Sequence, residues 1–257
     1  MTLAEAFHIK DREIISLVGG GGKTTLLFGL GNELAGKKEG ILLTTTTKIR
    51  EPDPSPSFAL ILSRDLSVLK RRIADNIGHY SYLVVAEDRL DNGKLEGIDP
   101  RWVDELFQLP EITTIIVEAD GAAGRSLKAP RDGEPVIPSS TSLLIPIVGL
   151  DILGCPLTEP FVFRSGMASR LLSLPIGSPV TEEIIARLLQ EIIKKRPSTS
   201  RVIPFINKVD HPDWLAEARA LAERLMESGS PDIAQVVIGQ MQGERWVEEV
   251  RASSTSN

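Results

Sequence analysis

Apolar runs and amphipathic segments alternate along most of this chain. Runs such as 13–18 and 112–121 are rich in β-branched residues, which is typical of strands buried on both faces. Segments such as 65–77 and 213–228 instead repeat apolar residues at helical spacing. The predicted strands are 13–18, 40–47, 58–62, 80–86, 112–121, 142–148, 201–206 and 233–238, and the predicted helices are 24–35, 65–77, 102–109, 179–193 and 213–228. This order predicts an α/β fold with a mainly parallel sheet and helices on both faces.

Polar groups follow four of the predicted strands. They are the glycine run 19–22, the threonine run 44–47, the carboxylates Glu118 and Asp120, and the segment 207–210. Because ligands of parallel sheets bind beyond the carboxyl ends of the strands, we expect these four groups to lie at one edge of the sheet.

The glycine run has the context of a phosphate-binding loop, since a strand precedes it and a helix follows. Backbone amides and the helix dipole would attract the anion, Lys23 would contact the terminal phosphates, and the Thr24 hydroxyl would ligate Mg²⁺. The candidate nucleotide-binding residues here are Gly19, Gly20, Gly21, Gly22, Lys23, Thr24 and Thr25.

The spacing of this loop departs from the commonest pattern, because Leu17 occupies the position of its first glycine. The shorter form G-x-x-G-K-T-T resembles the nucleotide loop of the Mur ligases. It also resembles the loops of MinD-like ATPases, although Val18 replaces their signature lysine.

The carboxylates that end the strand 112–121 are the candidate metal and catalytic groups, together with Lys23. Asp120 is favoured for the Mg²⁺ shell, with Glu118 as a second ligand or as the base that activates water. Arg125 and Lys128 follow closely and could contact phosphate or an acidic substrate, or could be ordinary surface residues.

The segment Asn207, Lys208, Val209 and Asp210 matches the N-K-x-D signature of GTPases. A carboxylate at Asp210 can accept two N–H donors from guanine, which adenine cannot present, so GTP is expected over ATP. The alternative interpretation is a helix-capping turn.

The threonine run offers hydroxyl groups, and Lys48 follows it. Thr45, Thr46 and Lys48 are therefore candidate substrate contacts, although a β-branched strand end is an equal alternative. Arg164 could bind an acidic ligand or pair with an acidic neighbour.

Composition narrows the partners and the location. The net charge of −6 argues against nucleic acid or an anionic membrane as partner. One cysteine excludes a disulfide framework, and the N-terminal residues lack the apolar core of a secretory signal, so we expect a cytoplasmic protein. A single domain is predicted over residues 1–250, with a disordered tail at 251–257.

The stretches LVGGGGKTTLLFGL, LLTTTTKI, IIVEADGAAGRSLKAP and FINKVD together resemble the YqeC family. The resemblance implies a P-loop NTPase-like three-layer sandwich. It also implies an accessory role in maturing a selenium-dependent molybdenum hydroxylase or its cofactor, with that enzyme or its cofactor-insertion machinery as partner.

The sequence therefore predicts a Mg²⁺-dependent, slow NTPase that prefers GTP. One alternative is a transferase or ligase whose nucleotide activates a small substrate. The other is a cofactor carrier or chaperone that binds nucleotide without hydrolysing it.

Overall fold

The computed structural model describes residues 1–227, 233–243 and 246–253. Its strands are β1 Glu13–Gly19, β2 Ile41–Thr45, β3 Lys48–Arg50, β4 Phe58–Leu62, β5 Tyr82–Ala86, β6 Asp88–Arg89, β7 Lys94–Glu96, β8 Thr114–Glu118, β9 Leu127–Lys128, β10 Leu143–Gly149, β11 Val162–Phe163, β12 Arg201–Val202, β13 Phe205–Asn207, β14 Gln235–Gly239 and β15 Val247–Ala252. Its α-helices are α1 Leu3–Ala6, α2 Lys23–Ala35, α3 Leu66–Asn76, α4 Pro100–Leu106, α5 Ser165–Leu172, α6 Glu182–Ile193 and α7 Leu215–Glu227, and short 3₁₀ turns cover Leu150–Ile152 and Pro212–Trp214.

Within these described ranges, ten strands form one large sheet in the order β15-β14-β13-β10-β1-β8-β2-β5-β4, with β12 beside β10. All its pairings are parallel except that of β14 with β15. Parallel neighbours need crossover connections, and most of the helices provide them. The predicted α/β fold with a mainly parallel sheet between helices is confirmed.

Alternation along each strand divides the apolar core into two layers. In β1, Ile14 and Val18 pack with the layer that includes α3, α6 and α7. Ile15 and Leu17 point to the other face, against α1 and α2. The sheet is thus covered on both sides, as expected for strands that are almost continuously apolar.

Several predicted elements differ from the observed ones in where they begin, or in being divided into two. The side chains of Asp65 and Thr181 cap α3 and α6, so α3 begins one residue after the predicted start at 65 and α6 begins three residues after the predicted start at 179. The strand predicted at 201–206 is divided into β12 and β13, because Pro204 has no N–H to donate to a ladder.

Four structural units were not predicted. They are helix α1, helix α5, the two-stranded sheet of β9 and β11, and a small antiparallel sheet of order β3-β7-β6. At the C-terminus, β15 includes Arg251 and Ala252, so ordered structure continues past the predicted domain limit at residue 250. Residues 254–257 of the predicted tail, and Ser228 of the last predicted helix, lie outside the described residues.

Candidate functional site

The glycine loop joins β1 to α2 and packs tightly against neighbouring backbone. Gly19 has φ +93°, and a Cβ there would lie 2.3 Å from a carbonyl oxygen of β10. Gly21 has φ +79°, and a Cβ there would lie 2.3 Å from the backbone nitrogen of Gly149. Both positions therefore need glycine for conformation and for close approach, so the loop is a packed unit.

Helix α2 begins directly after this loop without a side-chain cap at Gly22 and without an acidic residue in its first turn. Its first hydrogen bond runs from Leu26 N to Gly22 O, at 2.9 Å. The amides of Lys23, Thr24 and Thr25 precede this bond and have no acceptor within the helix. This helix start is suited to an anion.

Lys23 lies under the loop and is 5% exposed. Its Nζ donates to Gly19 O at 2.6 Å and lies 3.2 Å from Asp120 Oδ1. Glu118 Oε1 is 3.9 Å away. The ammonium group therefore lies between the loop and the two carboxylates at the end of β8.

Those two carboxylates have different environments. Glu118 lines the cavity described below, and its Oε2 accepts a 2.7 Å hydrogen bond from the Thr24 hydroxyl. Burial raises the pKa of Glu118 above its ordinary value, against the opposing effect of Lys23. Asp120 is fully buried, and its Oδ2 accepts from Gly19 N at 2.9 Å and pairs with Lys128 at 3.0 Å. Glu118 thus faces the cavity, whereas Asp120 holds the loop.

Lys128 belongs to a buried ion-pair cluster beside the loop. Its Nζ lies 3.1 Å from Glu134 Oε2, and Arg164 Nη1 lies 2.7 Å from the same oxygen. Arg131 Nε contacts Glu134 Oε1 at 2.8 Å. Burial by itself would raise the pKa of Glu134, but the hydrogen bonds from Arg164 and Lys128 lower it to about 2. Arg164 therefore pairs with an acidic neighbour, and Lys128 is a structural cation here.

The threonine run connects strand ends. The Thr45 hydroxyl donates to Glu118 O at 2.8 Å, and the Thr46 hydroxyl donates to Val136 O at 2.7 Å. Each hydroxyl proton is thus directed at backbone. Thr46 and Lys48 also line the cavity, and Lys48 Nζ lies 3.7 Å from Glu96.

The last residue of β13, Asn207, contacts the glycine loop. Asn207 Nδ2 donates to Gly21 O at 2.6 Å, which fixes the loop from the side. Lys208 Nζ donates to Ser126 Oγ and to Asp151, both at 2.7 Å. Asp210 is exposed and is not one of the cavity-lining residues.

A cavity of about 1000 Å³ opens at this edge of the sheet. It extends from the loop and the start of α2 to the small sheet of β3 and β7. Arg125 lines it and donates to Glu159 O at 3.3 Å. The structure therefore gathers Lys23, Thr24 and Glu118 in one cavity.

Arg50, Lys94 and Arg131 also line the cavity and were not identified from the sequence. Arg50 lies two residues after Lys48, so an extended chain places both side chains on the same face. This spacing was the signal available in the sequence. Lys94 and Arg131 come from segments with no motif.

In the ranges 1–227, 233–243 and 246–253, no three His, Cys, Asp or Glu residues are placed to hold a metal ion. In the same ranges, no helix is both long and apolar enough to cross a bilayer.

The fold and this site define an α/β protein with a glycine-rich loop between its central strand and a helix. The profile of the YqeC family, described as YqeC protein, matches residues 15–166. "Uncharacterized protein YqeC" of Escherichia coli (strain K12) is 30% identical over 236 residues, which cover 91% of this chain and 89% of the relative. The chain belongs to the YqeC family, and the resemblance noted from its motifs is confirmed.

Proposed function

We propose that the protein binds a nucleoside triphosphate with Mg²⁺ at the glycine loop and hydrolyses it slowly. The observation that carries this proposal is the convergence of Lys23, the Thr24 hydroxyl and the Glu118 carboxylate at the uncapped start of α2. A lysine ammonium, free helix amides and oxygen ligands are the groups that bind phosphate and Mg²⁺ together.

The donor set fits Mg²⁺ because it consists of oxygen ligands. Thr24 Oγ1 and Glu118 Oε2 lie 2.7 Å apart and line the same cavity, so both could ligate one ion, with water and phosphate oxygens as the remaining ligands. The ion would neutralise negative charge on the phosphates. Asp120, fully buried among Gly19, Lys23 and Lys128, would position the loop.

The chain's own groups would then act by position and charge. The amides of Lys23, Thr24 and Thr25 would hold phosphate oxygens, and Lys23 would give up part of its contacts with Gly19 and Asp120 to contact the terminal phosphate. We expect slow turnover because these internal contacts compete with the substrate.

GTP is the proposed nucleotide. Asn207 fixes the loop at Gly21, and Lys208 lines the cavity beside it, so Asp210 lies two positions after a residue of the site. An Asp210 carboxylate that accepts two N–H donors would select guanine.

The proposed setting of this activity is the maturation of a selenium-dependent molybdenum hydroxylase or its cofactor, and its support is membership of the YqeC family.

A transferase or ligase is the second candidate. The observation that favours it is the extension of the cavity from the loop to the small sheet, which leaves room for a second substrate. Phosphate release only in the presence of that substrate would distinguish it, and tight binding without hydrolysis would indicate a carrier.

The first test is calorimetric titration of the purified protein with GTP and ATP, with and without Mg²⁺. Lys23→Ala removes the buried ammonium group, and charge-assisted hydrogen bonds are worth roughly 1.5–3 kcal/mol, so we expect affinity to fall about 10- to 100-fold. Lys194→Ala is the matched control, because Lys194 is 66% exposed and pairs with Glu191 away from the cavity. Equal affinity of Lys23→Ala and wild type would reject the proposed site.

A further inference from the structure

One side of the cavity carries basic residues that the proposed nucleotide site does not use. Lys48 and Arg50 of β3 and Lys94 of β7 all line the cavity and are exposed in the absence of a ligand. We call these three residues the basic wall.

The charges of the basic wall are poorly compensated. Arg50 and Lys94 are directly paired across the antiparallel strands β3 and β7. Like charges in this position repel each other, which destabilises the strand pair. Within the described ranges, neither residue forms an ion pair with a carboxylate, and Lys48 has only Glu96, at 3.7 Å. The repulsion would be relieved by an anion between the two side chains.

The basic wall contrasts with the rest of the molecule. The chain has a net charge of −6, yet eight Lys and Arg residues line the cavity against four Asp and Glu residues. Lys23, Arg164 and Lys208 of this set are each paired with a carboxylate. Arg131 also pairs with a carboxylate, that of Glu134. Among the lining cations, Arg50, Lys94 and Arg125 form no ion pair within the described ranges, and Arg125 donates to the carbonyl oxygens of Ala123 and Glu159. Most of the uncompensated positive charge of the cavity therefore lies at the wall.

Hydrogen bonds to the threonine run 44–47 fix the position of the basic wall relative to the proposed nucleotide site. Gly97 N and Ile98 N donate to the carbonyl oxygens of Thr47 and Thr45, at 2.6 and 2.9 Å. The Thr45 hydroxyl in turn donates to Glu118 O at 2.8 Å.

The inner side of the small sheet is also anchored. Ile49 and Leu95, which are paired across β3 and β7, are both buried in the core layer that contains α2. Cationic side chains on a sheet fixed in this way are preorganised for a ligand.

We propose that the basic wall binds the phosphate group of a second, small-molecule substrate in the same cavity as the nucleotide. A phosphate group matches this wall because it is dianionic and accepts hydrogen bonds from an arginine and lysines together. The role as a second substrate rests on the proposed nucleotide function, whereas the binding of the anion rests on the wall alone.

The test uses the full chain saturated with Mg²⁺ and a non-hydrolysable GTP analogue, so that the glycine loop is filled. Glycerol 3-phosphate is then titrated by calorimetry, with glycerol as the neutral control and tricarballylate as a carboxylate probe. We expect the phosphate probe to bind and glycerol not to bind. In Arg50→Ser/Lys94→Ser, the affinity for glycerol 3-phosphate should fall about tenfold or more, with GTP affinity within about twofold of wild type.

Arg64→Ser/Lys70→Ser is the matched control, because it removes the same charges from residues that pair with Asp88 and Glu105 and do not line the cavity. It should leave probe affinity unchanged. The wall variant should also keep or raise the melting temperature, since it removes a repulsive pair.

Three results would overturn the proposal: no binding of glycerol 3-phosphate to wild type, equal binding by the wall variant, or an equal loss in the control. Tighter binding of tricarballylate than of glycerol 3-phosphate would overturn the assignment to phosphate. The Lys23→Ala variant separates the two proposals. If the GTP analogue fails to bind wild type, but wild type and Lys23→Ala both bind glycerol 3-phosphate, the nucleotide function fails and the wall remains an anion site.

Discussion

At the scale of single residues, Glu118 and Asp120 differ in the groups that surround them. Glu118 is the last residue of β8, Asp120 lies two positions after it, and both carboxylates lie near Lys23. Glu118 accepts a hydrogen bond from the Thr24 hydroxyl and lines the cavity. Asp120 is enclosed by the Gly19 amide, Lys23 and Lys128. Two carboxylates of one motif are therefore proposed to have separate functions, which substitution can separate.

Glu118→Gln removes the carboxylate that the proposal assigns to Mg²⁺, but keeps the shape of the side chain. We expect nucleotide to bind this variant without Mg²⁺ as it binds wild type, whereas the gain in affinity on adding Mg²⁺ should be largely lost. Calorimetry with and without Mg²⁺ measures both quantities.

Asp120→Asn provides the comparison. It leaves the buried Lys23 and Lys128 without one of their counter-charges, so we expect a loss of stability of roughly 3–5 kcal/mol in urea unfolding. If the Asp120 variant were stable and lost only its response to Mg²⁺, the two roles would have to be exchanged.

At the scale of elements, the glycine loop depends on strands other than its own. Strand β10 contacts Gly19 and Gly21 so closely that a Cβ would overlap its backbone. The end of β13, two strands away from β1 in the sheet, supplies the Asn207 amide to Gly21 O at 2.6 Å. The loop conformation is thus a property of three neighbouring strand ends.

This arrangement predicts different effects for two residues of one segment. Asn207→Ala removes a support of the loop, so the affinities for GTP and ATP should fall by similar factors. Asp210→Ala removes the proposed contact with guanine, so GTP affinity alone should fall, about tenfold or more. Competition titrations with both nucleotides provide the measurement. A selective loss of GTP binding in Asn207→Ala would contradict the assignment.

At the scale of the whole molecule, the Glu134 cluster joins segments that are distant in sequence. Glu134 pairs with Lys128 and Arg164, and Lys195 donates to Glu134 O at 2.6 Å. These contacts connect the segment between β8 and β10, which contains Lys128 and Glu134, to the start of α5 at Arg164 and to the end of α6 at Lys195. Because Glu134 is only 6% exposed, we expect the cluster to contribute to the stability of the entire fold.

The stability contribution of Glu134 should depend on pH. Its pKa is lowered from 4.5 to about 2 in the folded protein, so the folded state favours the ionised carboxylate. This contribution is fully present above pH 4.5 and is lost as the pH falls toward 2. Glu134→Gln should therefore cost roughly 2–3 kcal/mol at pH 7 and clearly less at pH 3.

Urea unfolding of wild type and Glu134→Gln at both pH values measures this difference. Glu105→Gln is the control, since Glu105 is 54% exposed and pairs with Lys70 at 2.8 Å. Its cost should stay below about 1 kcal/mol. A cost for Glu134→Gln that does not change with pH would show that the charge of Glu134 is not what stabilises the fold.

The central elements could be predicted because their signals are local. β-branched runs and helical periodicity located most of the strands and helices. In the structure, the side chains of Asp65 and Thr181 cap α3 and α6 close to the predicted helix starts. The small sheet of β3, β6 and β7 was missed because its strands are two or three residues long and carry no periodicity of their own. Pairing with each other and burial of Ile49 and Leu95 stabilise them, and both depend on the folded chain.

The sequence by itself determined the α/β class, the glycine loop between strand and helix, and the placement of polar groups after strands. Each of these depends on residues close together in the chain. The tertiary structure alone decided that Glu118 faces the cavity while Asp120 and Lys128 are enclosed, and that Arg50 and Lys94 meet across two strands. The physical reason is that the partner of a charged side chain is set by strand order and register, which bring together residues far apart in sequence.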